Sequence, residues 1–293
     1  MNISPAFALA AFLGLISAPA AGAGCGLHSV PILSGNAPEA VELGGSFRRT
    51  AVEYGGGPGV YSEIGVTARF STGGRWAFGL QWPLAILSLR DSMYAGMGNP
   101  TVDAEIHFLP GPGTRLGLGA QVELPLGDLA DGLASRHFMG TAYASATKSW
   151  EGVILNGTAG MSMMSPWMNR DGEGMDHAAM QGASASGSSL AGRSLGNPHD
   201  NLEMIYRIAF RKNLGPGPAA VAAALDGQHV LGASMRTAGD MAGPGDTGRD
   251  FAAVEIGLPL AWGARTLSPY VQVPVSSARR IEWSLGMRGA VAL

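Results

Sequence analysis

The strongest constraint on the fold is an alternation of apolar and polar residues with a period of two, which recurs along most of the chain. From Arg115 to Leu126 every even position is apolar, while the odd positions up to Glu123 are polar or glycine. Glu63 to Phe70 and Thr101 to Phe108 repeat the pattern. On a helix these apolar residues would spread around the whole surface, whereas on a strand they share one face. The pattern therefore predicts β-strands.

Such segments follow one another from the first third of the chain to its end. They begin near residues 41, 59, 75, 99, 114, 136, 152, 201, 219, 250, 266 and 280. Tilted strands of about 9–11 residues cross a bilayer, and most of these segments are at least that long. The last segment reaches Leu293. We predict an all-β fold, a single closed antiparallel transmembrane β-barrel of about 12 strands formed by residues 40–293.

The connections between the segments are of two kinds. Some are short turns rich in glycine and proline, such as Pro110 to Gly113. The longer connections are Arg90 to Gly98, Gly127 to Ser135, Ser165 to Asp200 and Thr237 to Arg249. Outer-membrane barrels have short periplasmic turns and longer external loops. The pattern predicts that both termini lie on the periplasmic side.

The composition also favours a membrane barrel. Only 14% of the residues are charged, against about 25% in typical soluble domains. No run after residue 25 reaches the ~18 consecutive apolar residues of a spanning helix. A soluble β-sandwich or lipocalin-like barrel would also alternate, but would turn its apolar face inward and many Lys or Glu residues outward. We expect a protein of the bacterial outer membrane in contact with lipid. A net charge of −3 indicates no nucleic-acid partner.

The first residues resemble a targeting sequence. Met1 to Ala23 contains an apolar core from Ala6 to Ile16, followed by Ala21-Gly22-Ala23, the small-x-small pattern of a cleavage site. We predict a signal peptide over residues 1–23 and a short periplasmic N-terminal segment over residues 24–39. The single cysteine, Cys25, follows the predicted cleavage site, and its alternative interpretation is a lipid acceptor.

Three short motifs carry a resemblance to a known family. They are Gly96-Met97-Gly98-Asn99-Pro100-Thr101-Val102, Val122-Glu123-Leu124-Pro125-Leu126-Gly127-Asp128 and Pro269-Tyr270-Val271-Gln272-Val273-Pro274. The chain resembles outer-membrane β-barrel transporters of the MetA phenol-degradation pathway type. Asn99 stands where that family usually has Asp, and Leu126 where it usually has Thr. The resemblance implies an outer-membrane channel or transporter for small solutes.

The polar faces of the predicted strands carry charged residues that we expect to line the lumen. These residues are Glu63, Arg69, Asp103, Glu105, His107, Arg115, Glu123, Glu203, Arg207, Arg211, Glu255, Glu282 and Arg288. They could form a salt-bridge network that fills a narrow lumen, or a polar conduit for small solutes. The sequence leaves both hypotheses open.

The long connection over residues 165–200 indicates an alternative function. Thioether and imidazole groups are ligands that select copper, and methionine and histidine recur in and just before this predicted external loop. The candidate ligands are Met164, Met168, Met175, His177 and Met180. The alternative hypothesis is therefore a copper-binding outer-membrane protein, with copper as the one candidate cofactor.

Two further patterns bear on metal binding and catalysis. Cys25 and His28 form a Cys-x-x-His pair, which supplies only half of a metal site. The six histidines are scattered, and no Gly-x-Ser-x-Gly elbow is present. The sequence predicts no enzymatic activity.

Overall fold

The computed structural model describes residues 40–54, 57–72, 75–89, 92–127, 138–164, 202–231, 250–276 and 283–293. Three predicted segments lie outside the described residues. They are the signal peptide (1–23), the periplasmic segment (24–39) and the external loop with the candidate copper ligands (165–200). Within the described ranges every regular element is a β-strand. No helix in this part of the chain is long and apolar enough to cross a membrane.

The strands follow one another in a regular up-and-down order. They are β1 (Ala40–Tyr54), β2 (Gly57–Thr72), β3 (Trp76–Leu89), β4 (Ser92–Met97), β5 (Thr101–Gly111), β6 (Thr114–Glu123), β7 (Met139–Trp150), β8 (Val153–Met164), β9 (Leu202–Asn213), β10 (Ala220–Val230), β11 (Asp250–Gly257), β12 (Leu260–Trp262), β13 (Arg265–Pro274) and β14 (Trp283–Ala292).

These strands form one closed antiparallel sheet. Apart from two interruptions, each strand pairs with its neighbours along the chain, and β1 pairs with β14 from Glu42 opposite Ala292 to Ala51 opposite Trp283. Two wall strands are interrupted: β4 and β5 both pair with β3, and β11 and β12 both pair with β13. The described strands therefore occupy twelve positions in the wall. The prediction of a single closed barrel of about 12 strands is confirmed.

One expected loop is instead a strand. The sequence predicted a long connection from Arg90 to Gly98, but Ser92–Met97 pairs with the second half of β3 as β4. The interruption falls over residues 98–100, where the Gly98 amide donates to the Pro83 carbonyl at 3.0 Å. Pro100 has no amide hydrogen and so favours a break in the ladder at this point. Met93, Ala95 and Met97 are exposed and alternate with Tyr94 and Gly96, but β4 has only six residues, fewer than the about 9–11 by which a strand that crosses a bilayer is recognised.

The wall is apolar outside and polar inside. Ile64 and Val66 on β2 are exposed, whereas Glu63 and Thr67 on the same strand are buried. Trp76, Trp150 and Trp262 stand on the exposed face beside short turns, as aromatic residues do at a membrane interface. This arrangement is the reverse of a soluble barrel, and it excludes the lipocalin-like alternative. The protein is an integral β-barrel of the bacterial outer membrane.

The apolar exterior leads to a test of membrane depth. Ile64 lies near the middle of β2 and faces outward. Ile64→Arg should lower the free energy of unfolding by about 2–4 kcal/mol, because a cation at the bilayer midplane costs that much. Leu155→Arg, which also faces outward but lies close to a short turn, should cost about 0–1 kcal/mol. Denaturant titration in lipid vesicles, followed by tryptophan fluorescence, would measure both. Equal losses would contradict the assigned depth.

Candidate functional site in the barrel lumen

The inward face of each strand is set by the same alternation that forms the wall. On β5, Thr101, Glu105 and His107 are buried, while Val102 and Phe108 between and after them are exposed. On β9, Glu203 and Arg207 are buried, and Ile208 is exposed. The polar side chains of neighbouring strands therefore meet inside the barrel, where several of them form ion pairs.

One group of polar residues is centred on Glu105, and we call Glu105, Arg69, His107 and Ser145 the Glu105 cluster. The Ser145 hydroxyl donates to Glu105 Oε1 at 2.6 Å. Arg69 donates to Glu105 Oε2 at 3.2 Å, and His107 Nε2 lies 3.3 Å from the same oxygen. These contacts join β2, β5 and β7 across the inner wall. The Glu105 carboxylate is buried, and its ion pair with Arg69 compensates its charge.

A second group lies on the far side of the barrel, and we call Arg207, Asp226, Glu255 and Arg288 the Arg207–Glu255 network. Arg207 Nη1 lies 2.6 and 2.7 Å from the two carboxylate oxygens of Asp226. Its Nη2 lies 2.9 Å from Glu255 Oε1. Arg288 makes a two-pronged ion pair with Glu255, one branch of it at 2.6 Å. The network connects β9, β10, β11 and β14, and its two acids balance its two arginines.

Two arginines of this half of the barrel also stack on tyrosines. The Arg288 guanidinium lies 3.9 Å from the centre of the Tyr270 ring. Arg48 pairs with Glu63 at 3.1 Å and lies 5.8 Å from the Tyr61 ring centre. The Tyr61 hydroxyl donates to Glu63 Oε2 at 2.8 Å. Stacking of this kind adds to the stability of a cation held away from bulk water.

The other lining residues predicted from the sequence are placed near the two ends of the barrel. At the end of the barrel with the longer connections, Asn99 Nδ2 donates to Glu123 Oε1 at 2.8 Å, and Gln228 donates to Glu203. Near the short turns at the other end, Arg115 on β6 and Arg211 on β9 are partly exposed. Asp103 is also partly exposed and lies beside the Glu105 cluster. Glu282 lies outside the described residues.

The sequence analysis missed several members of these groups. Arg48 was missed because Arg49 follows it directly, so the two charges conceal which one faces inward. Asp226 lies in an alanine-rich strand, although it shares its face with Gln228 and could have been found from that spacing. Tyr270 and Gln272 were taken only as part of a family motif. Gln272 donates to Asp226 Oδ2 at 3.1 Å.

The proposed copper ligands have no structural test. Met164 is the last residue of β8. The other candidates lie outside the described residues; they are Met168, Met175, His177, Met180, Cys25 and His28. In the described ranges no group of three or more His, Cys, Asp or Glu residues could hold a metal ion. Copper binding stays a prediction from the sequence.

Comparison with known proteins supports the fold. No protein-family model matches the sequence, and no curated protein matches it. The chain is similar in structure to the COG4313 outer membrane channel from Pseudomonas putida F1, with 12% identity and a TM-score of 0.61 over 88% of this chain and 97% of that chain. It is more weakly similar to the translocator domain of autotransporter NalP from Neisseria meningitidis, with 10% identity and a TM-score of 0.47 over 86% and 87% of the two chains.

The class of protein follows from the fold, the exterior and the first of these likenesses. The chain is a twelve-stranded outer-membrane β-barrel with a charged inner face. The family resemblance seen in the sequence is confirmed at this level of an outer-membrane barrel. The particular pathway type stays a prediction.

The Arg207–Glu255 network leads to a test of stability. Glu255→Gln should lower the free energy of unfolding by about 3 kcal/mol, because Asp226 would then face two arginines, and the charge of Arg288 would be left uncompensated away from bulk water. Glu151→Gln in an exposed turn is the matched control and should change it by less than about 0.5 kcal/mol. Urea titration of both variants in vesicles measures the difference. Equal stabilities would show that Glu255 is not essential to the network.

Proposed function

We propose that the protein is a channel for small solutes across the outer membrane. The observation that carries this proposal is that the charged side chains inside the barrel keep part of their surface exposed. The side chains of Arg69, Asp226 and Arg288 are 12%, 17% and 13% exposed. These residues face inward, away from lipid, so this exposure indicates space within the lumen. A charged lining beside such space favours water and polar solutes.

The size of the barrel limits what could pass. Barrels of about eight strands are filled by their own side chains, whereas those of 16–18 strands leave a wide aqueous channel. Twelve wall strands fall between these sizes. Most inward side chains, including Tyr61, Leu87 and Ile205, are buried. The passage we propose is therefore narrow and suited to small solutes.

The charge pattern supports a weak preference for ion sign. The Arg207–Glu255 network balances its own charges, and Arg69 pairs with Glu105. Arg211, in contrast, lies near the periplasmic end of β9 and is partly exposed. Its two neighbours along the strand, Phe210 and Lys212, are exposed on the outer face. Reversing the charge of Arg211 therefore changes the lining of the lumen, whereas the same change at Lys212 alters only the outer surface.

Conductance measurements on the purified full chain in planar bilayers test the proposal. Discrete conductance steps are expected from the native protein. Arg211→Glu should shift the reversal potential in a salt gradient toward cation selectivity, because an inward charge acts on passing ions. Lys212→Glu makes the same change of charge on the outer face and should leave the reversal potential unaltered. The salt should be kept near about 0.1 M, where the Debye length is about 10 Å.

Two results would contradict the channel. The first is a folded native protein that shows no conductance steps. The second is an equal shift of reversal potential in the two variants, which would mean that ions do not pass beside Arg211.

A further inference from the structure

The two sides of the lumen differ in whether their neutral polar side chains have hydrogen-bond partners within the described part of the protein. Several neutral inward side chains have buried polar atoms for which the described part of the protein supplies no hydrogen-bond partner. These atoms are Thr67 Oγ1, both amide atoms of Gln81, Tyr143 Oη, Asn156 Oδ1 and Thr158 Oγ1. All of them lie on β2, β3, β7 and β8, and Asp103 Oδ2 on β5 is in the same condition. We call this side of the lumen the β2–β8 wall.

Buried polar groups in proteins are nearly always hydrogen-bonded, to protein or to water. The Gln81 and Tyr143 side chains are more than nine-tenths buried and point into the barrel. Gln81 lies opposite Thr67 in the β2–β3 ladder and shares a strand face with Gly79, which is opposite Asp103. The unused groups of Thr67, Gln81 and Asp103 therefore lie close together on three neighbouring strands, and Tyr143 lies on the same side of the lumen. A guest molecule with hydroxyl or amide groups would satisfy them.

The opposite side offers no comparable patch. There ion pairs hold the Arg207–Glu255 network together, and a separate ion pair joins Arg48 on β1 to Glu63 at the edge of the β2–β8 wall. Among the described residues of that side, the buried atoms without a hydrogen-bond partner include the Nε atoms of four arginines but no atom of a neutral side chain; the arginines are Arg48, Arg207, Arg211 and Arg288. A guest molecule could displace these groups only by breaking several ion pairs. Passage of a guest molecule along the β2–β8 wall would break fewer ion pairs.

Glycines control how far the side chains of the β2–β8 wall project into the lumen. A Cβ atom added to Gly119 would collide with the end of the Tyr143 ring, which lies across this glycine. A Cβ at Gly117 would meet the Glu105 carboxylate, and one at Gly79 would meet Asp103. Each glycine thus lets a large polar side chain of the neighbouring strand lie flat on the wall.

We infer that small uncharged solutes bearing hydroxyl groups pass along the β2–β8 wall, and that Tyr143, seated on Gly119, limits the width of this passage. The inference rests on the proposed channel function and adds its route and its solute class. Thr67, Gln81 and Tyr143 supply neutral donors and acceptors, and Asp103 supplies an acceptor. Of the two inward arginines of the wall, Arg69 is paired with Glu105, and Arg115 lies near one end of the barrel, beside a short turn. Polyols match this set of groups better than ions do.

Liposome swelling with the full-length protein tests the inference, with glycerol, erythritol and arabinose as uncharged probes of increasing size. Gly119→Ala should cause a loss of swelling that is greatest for the largest probe, because the new methyl group displaces the Tyr143 ring into the passage. Tyr143→Ala should speed entry of the largest probe. The double variant should recover the swelling lost in Gly119→Ala, which a general defect of folding would not allow.

The matched control is Gly157→Ala. Gly157 faces outward on β8, and a Cβ added there meets no atom within 4 Å. Its swelling rates should equal those of the native protein. The heat-dependent gel migration of a folded barrel checks each variant. If Gly119→Ala fails to fold, the test rests on Tyr143→Ala alone. Arabinose entry into liposomes with Tyr143→Ala at the rate of the native protein would then overturn the inference.

The remaining outcomes separate the inference from the proposed function. A native protein that conducts ions but admits no polyol would overturn the solute class and leave the channel standing. A protein that admits polyols at the same rate with and without the Gly119→Ala change would overturn the route. A protein that passes neither ions nor polyols would overturn the proposed function and the inference with it.

Discussion

The structure depends on the pairing of β1 with β14. In the hydrocarbon region no water can satisfy a backbone amide or carbonyl group, so each must be bonded within the protein. An open sheet would leave two unpaired edges, and closure removes both. Ten residue pairs join these two strands in the structure, from Glu42–Ala292 to Ala51–Trp283. Once the sheet is closed, odd and even positions must face lipid and lumen in turn.

Closure also determines how charge is accommodated. The lipid face carries residues such as Ile64 and Leu84, which are opposite each other on β2 and β3. Most charged side chains of the strand interiors face the lumen, where arginines and carboxylates of different strands neutralise one another; Arg49 on β1 and Lys212 on β9 are exposed on the outer face. The Arg207–Glu255 network joins strands that lie far apart in the chain, so it reinforces the closed sheet. The β2–β8 wall has fewer such ties, and this difference is what favours it as the route for solutes.

Much of the fold was accessible from the sequence, because alternation acts residue by residue. Glu105 and Val102 could be assigned to opposite faces from their spacing alone, and the short turns and the number of wall strands followed from the same pattern. The partners of the inward charges could not be predicted, because they depend on the closing register and on barrel tilt. Arg48 was concealed by its neighbour Arg49, and β4 was missed because its six residues are too few to cross a bilayer as a strand of their own. The contact of the Tyr143 ring with Gly119 could not be predicted either, because it depends on the register of β6 against β7.

The central claim is that one face of each strand meets lipid while the other meets a lumen that water reaches. Cysteine labelling at two neighbouring positions of β6 tests it most directly: Ala120 is exposed outward, and Gln121 faces inward and is partly exposed. Ala120→Cys and Gln121→Cys, each in a Cys25→Ser background, would be refolded in vesicles and treated with a charged, water-soluble thiol reagent. The account predicts reaction at position 121 and protection at position 120. Reaction at position 120 with protection at position 121 would contradict it.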